Sequence, residues 1–391
     1  MYLTRDEEKA LNGEFGEAVK KAMELLVALG EVLGADRLIE VKSVHISGVS
    51  YRNIGDAGLE FLEDLVNLGA KVKVKATVNP AGMDLRRWRD MRISKPFAKK
   101  QLMVVRCFSK MGVENTFTCT PYLASNKPLA GDHVAWAESS AVVFANSVLG
   151  ARTNRESGFS ALASALTGKT PFYGLHIDSL REPTLHVKLN FKPTNASEYS
   201  LLGYMVGMKA DEVISVDAEV VKVPTDYLKA FSAGLATAGR VAMFRSDQRA
   251  REKISIDYQD FKRLKEQIWL REEDIDYAFI GCPHTSITEL EEVAILLKDR
   301  KVKDDVALWI FTSRHTYRKA VRKGIVQVIE KSGAKVFKDT CMVVSPLDEM
   351  GIRNVVVNSA KAYHYIKNSF PNIKAYFADL KTLIAAVVES G

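Results

Sequence analysis

Hydrophobic positions along this chain recur with two spacings that alternate almost from end to end. Apolar residues fall at helical spacing over 18–33, after a Thr4 and Glu7 pair that fits a capping box. Residues 41–46 read as a strand, and the glycine-bearing loop Ser47-Gly48-Val49-Ser50-Tyr51 follows it. The next segment, 56–68, predicts a helix closing at Gly69, and 71–78 a strand running into Asn79-Pro80. Together they make a β-loop-α-β unit. Strand-like runs return at 240–244, 277–281, 306–312 and 335–337, each beside a helix-forming stretch. A single long helix is expected over 134–149, interrupted by the polar pair Glu138 and Ser139 and followed by the polar string Gly150 to Glu156. This alternation predicts an α/β fold of layered, largely parallel sheets with flanking helices. No fixed-period repeat or low-complexity tract divides the chain. Breaks near 200 and 335 give expected lobes of 1–200, 201–335 and 336–391.

Composition narrows the class. A chain of 391 residues with 47% hydrophobic content can bury two or three domain cores, and 26% charged residues suits a globular protein. The first eight residues are charged and lack the apolar core of a signal peptide. No later stretch approaches the roughly 18 apolar residues that span a bilayer, so a cytoplasmic protein without a membrane partner is expected. The formal charge of +7 raises a nucleic-acid reading. Yet its basic residues are interleaved with acids, and the densest patches, Arg86-Arg87-Trp88-Arg89 and Lys262-Arg263-Leu264-Lys265, carry no recognition signature. Generic surface charge explains them better, and a modest positive bias helps draw in a small anion.

The four cysteines argue against a disulfide framework. Cys107 ends an apolar run and reads as a small core residue. Cys119, Cys282 and Cys341 differ, because each stands where an apolar segment gives way to turn residues, the place where sites of layered α/β proteins collect. Three thiolates on an iron-sulfur cluster leave one iron without a protein ligand, free to act as a Lewis acid on a hydroxyl. That chemistry points to a dehydratase. A single zinc ion on the same thiolates is the rival metal reading. Other candidates follow from position. Gly48, Val49 and Ser50 allow backbone N–H groups to approach an anion. Asn79 and Pro80 close the next strand in the same layer. Glu138 sits where it could exchange protons or orient a substrate. Lys361 follows an apolar run, and Arg152 with Arg155 could form an anion-binding rim.

Several ordered strings carry a resemblance. They include Ser47 to Tyr51 with Gly55 to Gly58, Thr77 to Asp84, Thr118 to Leu123, Trp136 to Ala141, Asn146-Ser147 and Gly150 to Arg155. Leu166 to Pro171, Gly281 to His284 and Asn358 to Ala362 continue the series to the C-terminus. Across essentially the whole chain, the sequence resembles the aconitase X family.

The resemblance implies a multi-lobed, aconitase-like large subunit that dehydrates a hydroxy acid. It implies a 4Fe-4S cluster, with a 3Fe-4S form after oxygen exposure, held by Cys119, Cys282 and Cys341. It also implies substrate contacts at Gly48, Val49, Ser50, Asn79, Pro80, Glu138, Ser139 and Lys361, with Glu138 and Ser139 catalytic; Arg152 joins them as a phosphate candidate, and His133 and His284 would stand near the cluster. Two family types differ in their swivelling domain. One carries it fused and acts on cis-3-hydroxyproline. The other has it on a separate small subunit, which supplies a serine base, and in archaea converts (R)-mevalonate 5-phosphate to trans-anhydromevalonate 5-phosphate for isoprenoid synthesis. A chain ending at Gly391 leaves little room for a fused domain of about 100 residues, so the two-subunit, phosphorylated-substrate type is expected.

Overall fold

The computed structural model describes residues 1–211, 213–246, 250–271 and 275–389. Among these, three parallel sheets and one short antiparallel pair are layered with helices, as the alternation predicts. The first sheet has Ser43–Ile46 at its centre, with Lys75–Val78 and Ala135–Trp136 beside it, all parallel. Helices Glu17–Val32, Tyr51–Asn67, Lys95–Lys110 and Gly158–Thr167 surround it with apolar faces that bury residues such as Leu26, Leu62, Phe108 and Leu166. The capping box at Thr4 and Glu7 forms as expected. Among the described residues no helix is long and apolar enough to cross a membrane.

The expected helix over 134–149 is instead a strand followed by a shorter helix, Ser139–Ser147. Sheet pairing beside Val44 and His45 claims Ala135 and Trp136. Glu138 does not interrupt the helix but caps it, accepting from the Ser140 N–H at 3.4 Å and the Ser140 hydroxyl at 2.8 Å.

The second sheet runs Met243–Arg245, Val213–Val216, Leu185–Leu189, Glu252–Ile256 in spatial order. Its helices Ala196–Gly207 and Thr225–Ala238 cross at backbone contact. A Cβ on Gly234 would stand 2.1 Å from the Ser200 carbonyl oxygen, and one on Gly203 would stand 2.3 Å from that of Phe231. The third sheet has the order Lys335–Lys338, Ala307–Thr312, Tyr277–Thr285, Asn354–Val357, Lys374–Phe377. Its chain winds outward from Tyr277–Thr285 in one direction and then the other. The carboxyl ends of Tyr277–Thr285 and Asn354–Val357 therefore flank a topological switch point, where such sheets open a crevice. An apolar core including Phe231, Phe244, Phe279, Trp309 and Phe337 joins the second and third sheets and extends to Cys282 and Cys341.

Candidate active site

Parallel pairing sends the three strands of the first sheet toward one edge, so the residues that follow them meet there. Ser43–Ile46 leads into Gly48, Val49 and Ser50, Lys75–Val78 into Asn79 and Pro80, and Ala135–Trp136 into Glu138. The third sheet faces this edge. Ser50 donates its hydroxyl to the Val344 carbonyl at 2.7 Å, and Lys361 donates to Glu138 at 2.5 Å.

Glu138 is the charged centre of this edge. Its other carboxylate oxygen accepts from the Asn79 amide at 2.7 Å. Burial alone would raise its pKa, but the Lys361 charge and hydrogen bond, helped by Asn79 and Ser140, bring it down to about 2. Burial works against the Lys361 ammonium as well, and the Glu138 charge overrides it to hold that group above its usual range. Ser139 opens the helix beside them, half-buried, with no hydrogen bond to its hydroxyl among the described residues.

Behind Asn79 stands His45, which sequence patterning passes over as part of an apolar strand. Its Nε2 meets Asn79 Oδ1 at 2.8 Å and its Nδ1 meets Thr77 Oγ1 at 2.8 Å. Burial lowers its pKa to about 4, so the ring is neutral at pH 7. Since the Asn79 NH2 faces a carboxylate, its Oδ1 faces His45, and the imidazole carries its proton on Nε2. Gln101 is a second residue the sequence conceals. Its Oε1 accepts from the Tyr51 and Gly82 N–H groups, each at 2.9 Å, and its NH2 donates to the Val49 carbonyl at 2.9 Å. One side chain thus fixes the loops carrying Ser50 and Pro80. The signal for both is a polar residue embedded in an apolar run.

The cysteine segments converge on the same edge. Thr118 donates its N–H to the Val78 carbonyl at 3.0 Å, and Ala81 donates to the Asp339 carbonyl at 2.8 Å. The stretches leading to Cys119 and Cys341 thereby flank Asn79-Pro80. Cys282 rises from the central strand of the third sheet at an irregularity between Ile280 and Thr285. Gly281 makes this possible, with φ of 114° and no room for a Cβ, which would lie 2.2 Å from the Phe311 oxygen. Phe117 and Asp339, each two residues before a cysteine, also hold positive φ, at 43° and 70°. Arg314 braces both, stacking over the Phe117 ring at 5.2 Å and donating to the Asp339 carboxylate at 2.8 and 2.9 Å.

All three thiols are buried, at 6–8% exposure. Burial pushes Cys282 and Cys341 up to about 12 and Cys119 higher still, and the three sulfurs influence one another electrostatically. Cys119 Sγ accepts the His284 N–H at 3.2 Å. Cys107 has burial as its main influence and no such donor. Among the described residues no three His, Cys, Asp or Glu side chains converge closely enough to hold one ion. Three buried cysteines on segments that meet at one edge, with an N–H donor on Cys119 Sγ, suit the thiolate set of an iron-sulfur cluster.

The two arginines of the polar string do not act together. Arg152 pairs with Asp178 and donates to the His176 carbonyl at 3.3 Å, while Arg155 caps a helix end through the Gly239 and Ala236 carbonyls at 2.8 and 3.1 Å. The two guanidiniums of the expected rim therefore have separate partners, an exposed carboxylate for Arg152 and backbone carbonyls for Arg155. His133 contacts His176 at 2.9 Å and not a cysteine, whereas His284 lies among the cysteine segments.

Family models describe this arrangement. The aconitase X first domain matches residues 1–179, the second domain 183–280 and the third domain 275–389. The chain belongs to the aconitase X family. It is 46% identical to the phosphomevalonate dehydratase large subunit of Methanocaldococcus jannaschii, over 98% of this chain and 99% of that one. The Thermococcus kodakarensis protein of the same name is 43% identical over 94% and 95%. The cis-3-hydroxy-L-proline dehydratase of Pseudomonas aeruginosa is 34% identical, and the match covers 91% of this chain but 64% of that protein. The crystal structure of Thermococcus kodakaraensis aconitase X in its holo-form superposes with a TM-score of 0.91 and 41% identity, covering 99% of this chain and 100% of that one. Within this aconitase X chain, the edge from Gly48 to Glu138 meets Lys361 and the cysteine segments where the first and third domains come together.

Proposed function

We propose that this chain is the cluster-bearing large subunit of a hydro-lyase that converts (R)-mevalonate 5-phosphate to trans-anhydromevalonate 5-phosphate in isoprenoid precursor synthesis. The observation that carries this reading is end-to-end identity of 43–46% to large subunits so named, against 34% over about two thirds of the hydroxyproline enzyme. Four unpaired cysteines suit a reducing compartment, so we place the reaction in the cytoplasm.

In the net reaction a proton is lost from C2 and hydroxide from C3, together making up one water, and a C2–C3 double bond forms. Cys119, Cys282 and Cys341 would hold the 4Fe-4S cluster, which when bound supplies Lewis acidity to the C3 hydroxyl. Glu138 is ionised at working pH, so it orients the substrate as an acceptor rather than donating a proton to the departing hydroxyl. Lys361 offers positive charge to the substrate carboxylate beside it, and the Ser139 hydroxyl is available to the same group. Gly48, Val49 and Ser50, with Asn79 and Pro80, are taken as further substrate contacts along the same edge, Asn79 sharing the Glu138 carboxylate with Lys361. Arg152, paired only with the exposed Asp178, stays a candidate for the phosphate. The C2 proton goes to a base on a separate small subunit. The test is anaerobic co-expression with that subunit, then alkene formation measured on mevalonate 5-phosphate and on cis-3-hydroxyproline. Preferential turnover of hydroxyproline would overturn the substrate assignment.

A further inference from the structure

We propose that His284 is the positioning residue that sets the three cysteine segments in a common register for the cluster. The proposal rests on the cluster reading above and extends it to a residue that is not itself a ligand.

The geometry is unusually complete for one side chain. His284 is fully buried. Its Nε2 faces the Thr340 carbonyl at 2.8 Å, which can only accept, so the ring proton sits on Nε2. Its Nδ1 then accepts from the Thr118 hydroxyl at 3.0 Å. Thr118 directly precedes Cys119 and Thr340 directly precedes Cys341, while His284 itself stands two residues after Cys282. One neutral imidazole therefore spans all three segments, and only one tautomer satisfies both bonds. The main chain adds two more links. The His284 N–H donates to Cys119 Sγ at 3.2 Å, and its carbonyl accepts from Lys229 at 3.1 Å. Lys229 is buried and pairs with Asp226 at 3.3 Å and with Glu289, which ties the second domain to the same point. The ligand segments come from the first and third domains, so no single element can fix their spacing. His284 supplies that constraint, and its N–H withdraws charge from the Cys119 sulfur.

The test uses the complete two-chain complex, reconstituted anaerobically, with His284→Ala and the milder Thr118→Val. Two readouts apply: the rate of iron loss to a chelator, and the electron paramagnetic resonance spectrum with the midpoint potential of the cluster. Outer-shell partners of metal ligands typically matter by roughly 10- to 100-fold in metal affinity. His284→Ala is expected to lose iron faster by about that factor with an altered spectrum and potential, and Thr118→Val to move the same way by less. A folded His284→Ala complex with native iron loss and native spectrum overturns the proposal. If His284→Ala does not fold, native behaviour of Thr118→Val overturns it instead. Failure of the unaltered complex to take up any cluster would sink the cluster reading itself, a result distinguishable from either variant's.

Discussion

Glu138 and Lys361 illustrate how burial sharpens a charge pair at the residue scale. Their side chains are 12% and 9% exposed, so removing one partner strands the other. Glu138→Gln is expected to destabilise the chain by about 3–5 kcal/mol, read by denaturant unfolding, and to abolish alkene formation. The pH behaviour follows from the shifts. A carboxylate lowered from 4.5 to about 2 contributes stability above 4.5 and loses it as pH falls toward 2. An ammonium held above 10.5 contributes below that value and loses it only as pH rises beyond. The stability gap between the native chain and the double variant Glu138→Gln/Lys361→Met, which carries neither titrating group, is thus flat from about pH 5 to 10. Below 4.5 it shifts against the native chain. His45 acts one step back. His45→Leu leaves the Asn79 oxygen unpaired at about 1–3 kcal/mol, so kcat/KM falls roughly 10- to 100-fold. A native kcat/KM in that variant would remove His45 from the site.

Elements decide what the sequence could reveal. That Gly48 to Ser50, Asn79 and the cysteine segments come together was legible because each follows an apolar run, and a parallel sheet gathers such strand ends at one edge. The helix start at Ser139 was not, because a two-residue strand and an amphipathic helix present the same apolar spacing over 134–149. A string of polar residues does not show that Arg152 pairs with Asp178, many positions onward. His45 and Gln101 stayed hidden because their partners lie on other elements. Two predictions belong here. Gln101→Leu strands the Tyr51 and Gly82 amides, which costs about 1–3 kcal/mol each and should raise KM more than it lowers kcat. Gly234→Ala forces a methyl against the Ser200 carbonyl and is expected to lower thermal stability by about 1–3 kcal/mol or more. An unchanged melting curve would contradict the close crossing of those helices.

At the scale of the whole molecule, residues of the first and third domains meet at one edge, and the second domain reaches it through Lys229. The first brings Cys119, Asn79 and Glu138, the third brings Cys282, Cys341 and Lys361, and the second braces His284 through Lys229. The edge from Gly48 to Glu138 and the cysteine segments meet at this junction. Central to the account is that these three thiols carry the chemistry only in the two-chain complex. The direct measurement is proton NMR of mevalonate 5-phosphate incubated anaerobically with the reconstituted complex, with the large chain alone, and with complexes carrying Cys119→Ser, Cys282→Ser or Cys341→Ser. The account predicts alkene signals from the native complex only. Full turnover by the lone chain, or by any of the three serine variants, would contradict it.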